Sequence, residues 1–429
     1  MDKQSPKGMS RRAFVKTASA AAAGVTLGYF GGKAPAMAQE HQLHSLQLSS
    51  FVSATDETLK QIAAEFGKQA GVKMNMEFIG LNDVLPRAIA AVESRTGPDL
   101  ILLQWNQGYL FGKSFVDMGD VVQAVGGKKI YLFNRQAVHV NGVYRGVPHY
   151  NVGSAMVYNK PMWDEAGINE YPDTYEGLLR DGTKLKKLGY PIGWTLGHTI
   201  GDGAFGNYPL LWAFGGYERD AKGRVAINSK GTRAACDFMR EFWNAACDEG
   251  GMAWNDSSNN QAFLGETISC CLNAASIYMK ARRDKNPIAD KIRHTVAQKG
   301  PAGRFELIQQ YNYHVPAYSK NVSLAKEWLR FLLRHDNYER FFVSSGGFAQ
   351  GISAEWEHHK LWDQDPVMKP YSELSKYGRN MGYKAAYDRA SSEVQAKYIV
   401  ADLFVRAIKD GTNSAIKWAE GELKQVYKA

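Results

Sequence analysis

Leu46-Gln47-Leu48-Ser49-Ser50-Phe51-Val52, followed at once by Ser53-Ala54-Thr55-Asp56, is a strand-like run that ends in a polar turn. Behind it Leu59, Ile62, Ala63, Phe66 and Ala70 recur at helical spacing on one face, and Gly71 supplies the stop. Val72, Met74, Met76 and Phe78 alternate as a strand, 84–92 reads as a helix, and Gly97-Pro98-Asp99 turns into the apolar strand Leu100–Leu103. Strand, helix, strand, helix, strand predicts a mainly parallel α/β sheet, and ligands of such sheets gather beyond the carboxyl ends of the strands. Ser53–Asp56 and Gln104-Trp105-Asn106 occupy that rim.

Upstream, Ser10-Arg11-Arg12-Ala13-Phe14-Val15-Lys16 leads into a weakly apolar, Ala- and Gly-rich stretch closing on Ala36-Met37-Ala38. A basic start, a short apolar core and an Ala-x-Ala end predict an export leader over 1–38. The Arg pair suggests the twin-arginine route, with the mature chain starting at Gln39. The run Ala18–Phe30 is too short to span hydrocarbon, which takes roughly 20 apolar residues. The expected product is exported and soluble after cleavage. The leader holds Lys3, Lys7, Arg11, Arg12, Lys16 and Lys33 against Asp2, so the net charge of +9 falls to +4 in the mature chain. That balance, with no basic run beyond 280–285, argues against nucleic acid.

About 390 mature residues exceed one ordinary core and predict two lobes. Downstream, Ala155–Tyr158 reads as a strand, and the Asp-x-x-Glu spacing of Asp173 and Glu176 reads as a capping box opening a helix to about Leu188. Helices follow near Tyr208–Phe214 and Thr232–Cys247, a strand over Thr267–Leu272, a helix capped by Ser323, and a long helix over Glu393–Lys409. Cys236 and Cys247 lie about 16 Å apart along one helix and cannot pair with each other. Either can meet Cys270 or Cys271, although buried small side chains are the expected role of all four.

The order of several short stretches resembles the extracellular solute-binding proteins of ABC importers, in the large class with sugars among its ligands. These stretches are Gly97-Pro98-Asp99-Leu100-Ile101, Gly146-Val147-Pro148 with Tyr158-Asn159-Lys160, Pro172-Asp173-Thr174-Tyr175-Glu176-Gly177-Leu178, Phe263-Leu264-Gly265, and Ser319-Lys320-Asn321 before Ala325–Leu332. Tyr175 and Cys270-Cys271 depart from the usual pattern and leave the ligand open. The resemblance implies a type II-like periplasmic binding fold, two discontinuous α/β lobes joined by a hinge: 39–145 with 310–347 as lobe I, 146–309 with 348–429 as lobe II. Crossings are expected near Tyr144–His149, Leu307–Gln310 and Ser345–Gly351. It also implies a periplasmic, monomeric receptor that closes on its solute and delivers it to a permease, without cofactor or metal.

A sugar offers apolar C–H faces and a ring of hydroxyls, so its cleft needs aromatic platforms and short polar side chains. The candidates are Asp56, Gln104, Trp105, His149, Tyr150, Trp194, His198, Asp202, Trp254, Asn255, Asp256, Asn273, Tyr311 and Asn312, aromatics and amides grouped in segments that read as loops after strands. Trp105 and Trp254 are the foremost stacking faces. A polyamine receptor would want carboxylates such as Asp56 and Asp202, and a glycerol-phosphate-like ligand would want a base, for which Arg145 is the one residue near the expected mouth. An enzyme finds no support in motifs: Gly-x-Ser-x-Gly, His-Glu-x-x-His and an iron–sulfur cysteine set are all missing.

Overall fold

The computed structural model describes residues 42–199 and 201–428; the expected leader lies outside them. Strand β1 (Gln42–Leu48) enters helix α1 (Ser53–Ala70), which Gly71 ends in a left-handed turn at φ 67°. Strand β2 (Lys73–Ile79), helix α2 (Val84–Ser94) and strand β3 (Leu100–Gln104) complete the expected alternation, and after a run of short helical turns the chain reaches β4 (Val147–Val152). Gly153-Ser154 then passes into a second sheet, opened by β5 (Ala155–Asn159).

After the short helix Lys160–Glu165, helix α3 spans Tyr175–Lys187. Its cap is Thr174, whose hydroxyl accepts from Gly177 N at 3.1 Å, and not Asp173, which pairs instead with Lys299 and Arg304. The short strand β6 (Ile192–Gly193) precedes α4 (Asp202–Ala213), which begins six residues ahead of the expected Tyr208. Then come α5 (Lys230–Ala246), α6 (Ser258–Leu264), β7 (Cys270–Asn273), α7 (Ser276–Arg283) and β8 (Ile292–Thr295). All four cysteines are free and buried. Burial pushes the Cys236 and Cys270 thiols up to about 12.

The chain returns through β9 (Glu306–Leu307) to β10 (Gln309–His314), then to helices α8 (Val322–Leu332) and α9 (His335–Ser344). Ser323 lies inside α8 rather than capping it, with Asn321 in the cap position. Beyond β11 (Gly378–Arg379) the expected long helix is two, α10 (Arg389–Ala396) and α11 (Ile399–Asp410), broken where Tyr398 takes φ 54°; α12 (Thr412–Tyr427) follows.

The first sheet runs β2-β1-β3-β10-β4 and the second β8-β5-β7-β6. In the first, β1 is parallel to β2 and β3, whereas β10 is antiparallel to both β3 and β4. The first passage between sheets is therefore Gly153-Ser154, downstream of the expected Tyr144–His149. The expected boundary at 145/146 cuts ahead of a strand whose backbone pairs with β10. The return passage is Ile308, and the third follows Gln350, which exchanges backbone hydrogen bonds with Asn151. One apolar cluster holds Leu46, Ile62, Ile101, Trp328 and Phe341; the other holds Tyr175, Trp194, Leu211, Phe242, Leu403 and Ile416. Each fully buried side chain of this kind contributes about 1.5–3 kcal/mol. The architecture is thus two α/β lobes, each assembled from separated segments and joined by crossing strands.

Candidate functional site

Register places the site. Tyr311 pairs with Gln104 and Gln309 with Val152, so the carboxyl ends of β1, β2, β3 and β4 and the start of β10 share one edge of the first sheet. From that edge the chain passes through two residues to β5. Ala155 pairs with Asn273, and β6 runs parallel to β7, so the ends of β6 and β7 lie on the edge of the second sheet next to the passage. Two carboxyl-end rims, the ligand-gathering edges of α/β sheets, therefore face each other.

On the first rim, Asp56 in the first turn of α1 accepts from Ser50 N with both oxygens at 3.1 Å, and burial raises its carboxyl to about 6. Gln104 accepts from Gln309 Nε2 at 2.5 Å. Tyr150 and Tyr311, cross-strand neighbours, stack at 4.3 Å and 6°. Trp105 takes φ 52°, a left-handed conformation rare for a large side chain. It is held there by its N–H donating to Gln310 O at 2.8 Å and by Asn312 Nδ2 donating to its carbonyl at 2.9 Å. That turn carries the indole across to Phe205 on α4, centroids 5.7 Å apart, with 1% of Trp105 exposed and its Nε1–H unpartnered. Trp105 thus bridges the lobes instead of presenting an open stacking face.

On the second rim, Asp256 Oδ1 accepts from Gly201 N at 3.1 Å and Asp202 N at 2.9 Å, fixing the start of α4. Asp202 Oδ2 is shut off from solvent without a partner, and burial together with the charge of Asp256 holds its carboxyl well above the ordinary range. The charge of Asp256 also reaches Tyr311 on the opposite sheet. Asn273 donates to Asn260 Oδ1 at 2.7 Å and accepts from Ser276 Oγ at 3.0 Å. Trp254 is half-buried over Gly193, where an added Cβ would come within 3.0 Å of its ring.

Five candidates sit elsewhere. His149 lies in the first core against Tyr313 and Phe341, both ring nitrogens unpartnered and its pKa lowered to about 3 by burial. Trp194 lies in the second core, its Nε1–H donating to Asn207 Oδ1 at 3.0 Å and its ring edge-on to Phe242. His198 is exposed, bonded to Asp402 Oδ1 at 2.8 Å and stacked on Tyr398 at 4.4 Å. Asn255 spends its carbonyl on Ser257 and Ser258 in a local turn, and Asn312 is committed beneath Trp105. Arg145 lies two residues ahead of β4, off its amino end, donating to Phe115 O at 2.9 Å, so it is not at the mouth.

Sequence reading passed over the contacts that tie the lobes together. Asn106 Nδ2 donates to Asp388 O at 2.7 Å, and Ser392 Oγ donates to Asn106 Oδ1. Asp388 caps α10 and receives Arg219 Nη1 at 2.6 Å. The amide of Asn106 beside Trp105 is visible in sequence, but its partners stand 282 and 286 residues away.

Comparison with known proteins agrees with this geometry. The solute-binding protein of Thermotoga lettingae bound to α-D-tagatose superposes with a TM-score of 0.77 at 16% identity, covering 90% of this chain and 100% of that one. Maltose-bound MalE3 of T. maritima gives 0.74 at 19% identity, covering 90% and 99%. In sequence, the diacetylchitobiose binding protein of Streptomyces coelicolor is 26% identical over 139 residues, 32% of each chain. The family described as bacterial extracellular solute-binding protein matches residues 61–370, most of the chain, and the chain belongs to that family.

Proposed function

We propose that this protein is the substrate-binding component of an ABC importer, capturing a mono- or oligosaccharide or a related polyol between its lobes and presenting the closed form to a membrane permease. The observation that carries the reading is the pair of facing rims, which bring stacked tyrosines, tryptophans, amides and carboxylates to one cleft. Side chains that both donate and accept suit a polyhydroxylated solute, and aromatic rings suit its C–H faces. The names of the relatives, which carry diacetylchitobiose, tagatose and maltose, support the same ligand class.

Export belongs to this reading as well: the Arg-pair leader over 1–38 takes the chain by the twin-arginine route to the periplasm, where it acts as a monomer. No helix among the described residues is long and apolar enough to cross a membrane. No group of three His, Cys, Asp or Glu among them is arranged for a metal. The cleft binds its solute and returns it chemically unchanged.

The test is thermal unfolding of the purified protein against sugars, polyols, polyamines and phosphate esters. A ligand of the folded state stabilises it by about 2.7 kcal/mol at a hundredfold excess over Kd. A rise in Tm with sugars or polyols is expected; a rise confined to polyamines or phosphate esters overturns the ligand class.

A further inference from the structure

A sugar ring is met best by an open aromatic face, and the rings already placed at the rims are largely spoken for. Tyr150 and Tyr311 are 7% and 3% exposed and cover each other, Trp105 is 1% exposed against Phe205, and Trp254 is half-buried over Gly193. Phe51 differs from all of these. It is 54% exposed, and every other Phe, Tyr and Trp among the described residues is buried or half-buried. Single exposed apolar side chains are ordinary on protein surfaces, so the setting of this one decides its meaning.

Phe51 stands three residues beyond the carboxyl end of β1, on the ligand-gathering edge of the first sheet. Its turn is pinned on both sides: Ser50 N donates to both oxygens of Asp56 at 3.1 Å, Val52 N to Ser50 Oγ at 3.0 Å, and Thr55 N to Val52 O at 2.9 Å. The ring packs against buried Phe348 with centroids 5.8 Å apart and leaves more than half its surface open. Phe348 lies two residues ahead of Gln350, at the third passage between the sheets. Beside it a Cβ on Gly346 would come within 2.6 Å of Met279 Cε on α7, which follows β7 of the second sheet. An apolar ring is therefore held open to water, on a fixed turn with a second ring behind it, where the two lobes meet.

Resting on the sugar reading above, we propose that Phe51 is the stacking platform of the cleft and makes it select cyclic sugars over acyclic polyols. In a pyranose chair with equatorial hydroxyls the axial C–H bonds form a flat apolar face. A phenyl ring, with no polar atom, meets that face and finds no counterpart on an open chain. The open chain must also be frozen on binding, a cost that the closed ring avoids. The polar side chains of the rims hydrogen-bond hydroxyls of both classes, so Phe51 is the part of the site that tells them apart.

The experiment is calorimetric titration of the wild-type protein, Phe51→Leu and Phe51→Tyr with glucose, galactose, mannose and xylose, with maltose and cellobiose, and with the alditols sorbitol, galactitol, mannitol and xylitol. The wild type is expected to bind a ring sugar about tenfold more tightly than its alditol. Phe51→Leu, apolar but without a flat face, is expected to weaken the ring sugar about tenfold and leave the alditol unchanged. Its Tm without solute should match the wild type, because the side chain is already exposed. Phe51→Tyr, which keeps the ring, should bind as the wild type does. If the Leu variant melts lower, the wild-type comparison of sugar with alditol still decides. An alditol binding as tightly as its sugar, a Leu variant with wild-type sugar affinity, or equal losses for sugar and alditol overturns the selection by Phe51 and leaves the sugar reading standing. Silence of the wild type with every solute overturns the sugar reading and this inference with it.

Discussion

At the scale of single residues, Trp105 concentrates the consequences of the fold. A left-handed conformation costs an L residue about 1–2 kcal/mol, and Asn312 is the side chain that holds it, by donating to the Trp105 carbonyl. Asn312→Ala should therefore lower stability by about 1–3 kcal/mol in urea unfolding, the cost of a buried unpaired carbonyl. An unchanged midpoint would show that the Gln310 contact alone suffices. Trp105→Ala removes a buried indole and should cost about 3–5 kcal/mol, which would mask any effect on binding. Trp105→Phe is the milder variant, because it keeps an aromatic ring toward Phe205 while removing the pyrrole ring that carries the unpartnered N–H. If that N–H serves the solute, affinity in titration calorimetry should drop by about 1 kcal/mol beyond the loss of stability that the smaller ring brings. Sequence reading placed Trp105 and Trp254 after strands, at the rims. Whether a ring there faces a solute or a neighbouring lobe depends on φ and on Phe205, a residue 100 positions away, which no local pattern encodes.

At the scale of elements, the loops of the second rim are held by close backbone approach. Leu196 N donates to Gly251 O at 2.9 Å, and a Cβ on Gly251 would lie 2.2 Å from Trp194 O, while one on Gly197 would lie 2.0 Å from Trp254 O. Gly251→Ala should push apart the two loops that bear Trp254 and Asp256 and lower Tm, since backbone cannot give way as a flexible side chain does. Equal melting curves would rule out that packing. The element contact that bears most on function joins Asn106, after β3, to Asp388 and Ser392 at the start of α10. Those bonds exist only while the lobes are together, so Asn106→Ala should shift the population toward an open form. Solute affinity should fall several-fold, and the radius of gyration without solute should rise in X-ray scattering. Affinity and radius both unchanged would mean the contact does not bias closure. Helix caps were partly legible: Asp173 and Thr174 are adjacent and both cap well, and Lys299 and Arg304 decide between them by drawing Asp173 away.

At the scale of the whole molecule, buried ionisable groups set opposing pH trends. Burial raises Glu218 to about 7 and Glu306 to about 8 from the usual 4.5. The folded state therefore holds protons that the unfolded chain has lost, and stability falls as pH rises from 4.5 toward 8. Burial lowers His149 to about 3 and His294 and His314 to about 4 from 6.5, so the unfolded chain gains protons that the fold refuses, and stability falls as pH drops below 6.5. The two trends offset each other between pH 4.5 and 6.5. Tm should be flat across that window and decline on both sides, and Glu306→Gln should flatten the alkaline arm. A wild-type Tm that rises from pH 6.5 to 8 would contradict this assignment.

Periodicity, turn residues and segment order determined from sequence alone that the chain is α/β and that it has two lobes, because each of these depends on neighbours a few residues apart. The tertiary structure decided the rest. It placed the crossing at Gly153-Ser154, turned His149 and Trp194 into their cores, and removed Arg145 from the mouth. Those outcomes are set by strand register and by contacts between residues scores to hundreds of positions apart, where packing and hydrogen-bond satisfaction choose among faces that a local pattern leaves equivalent.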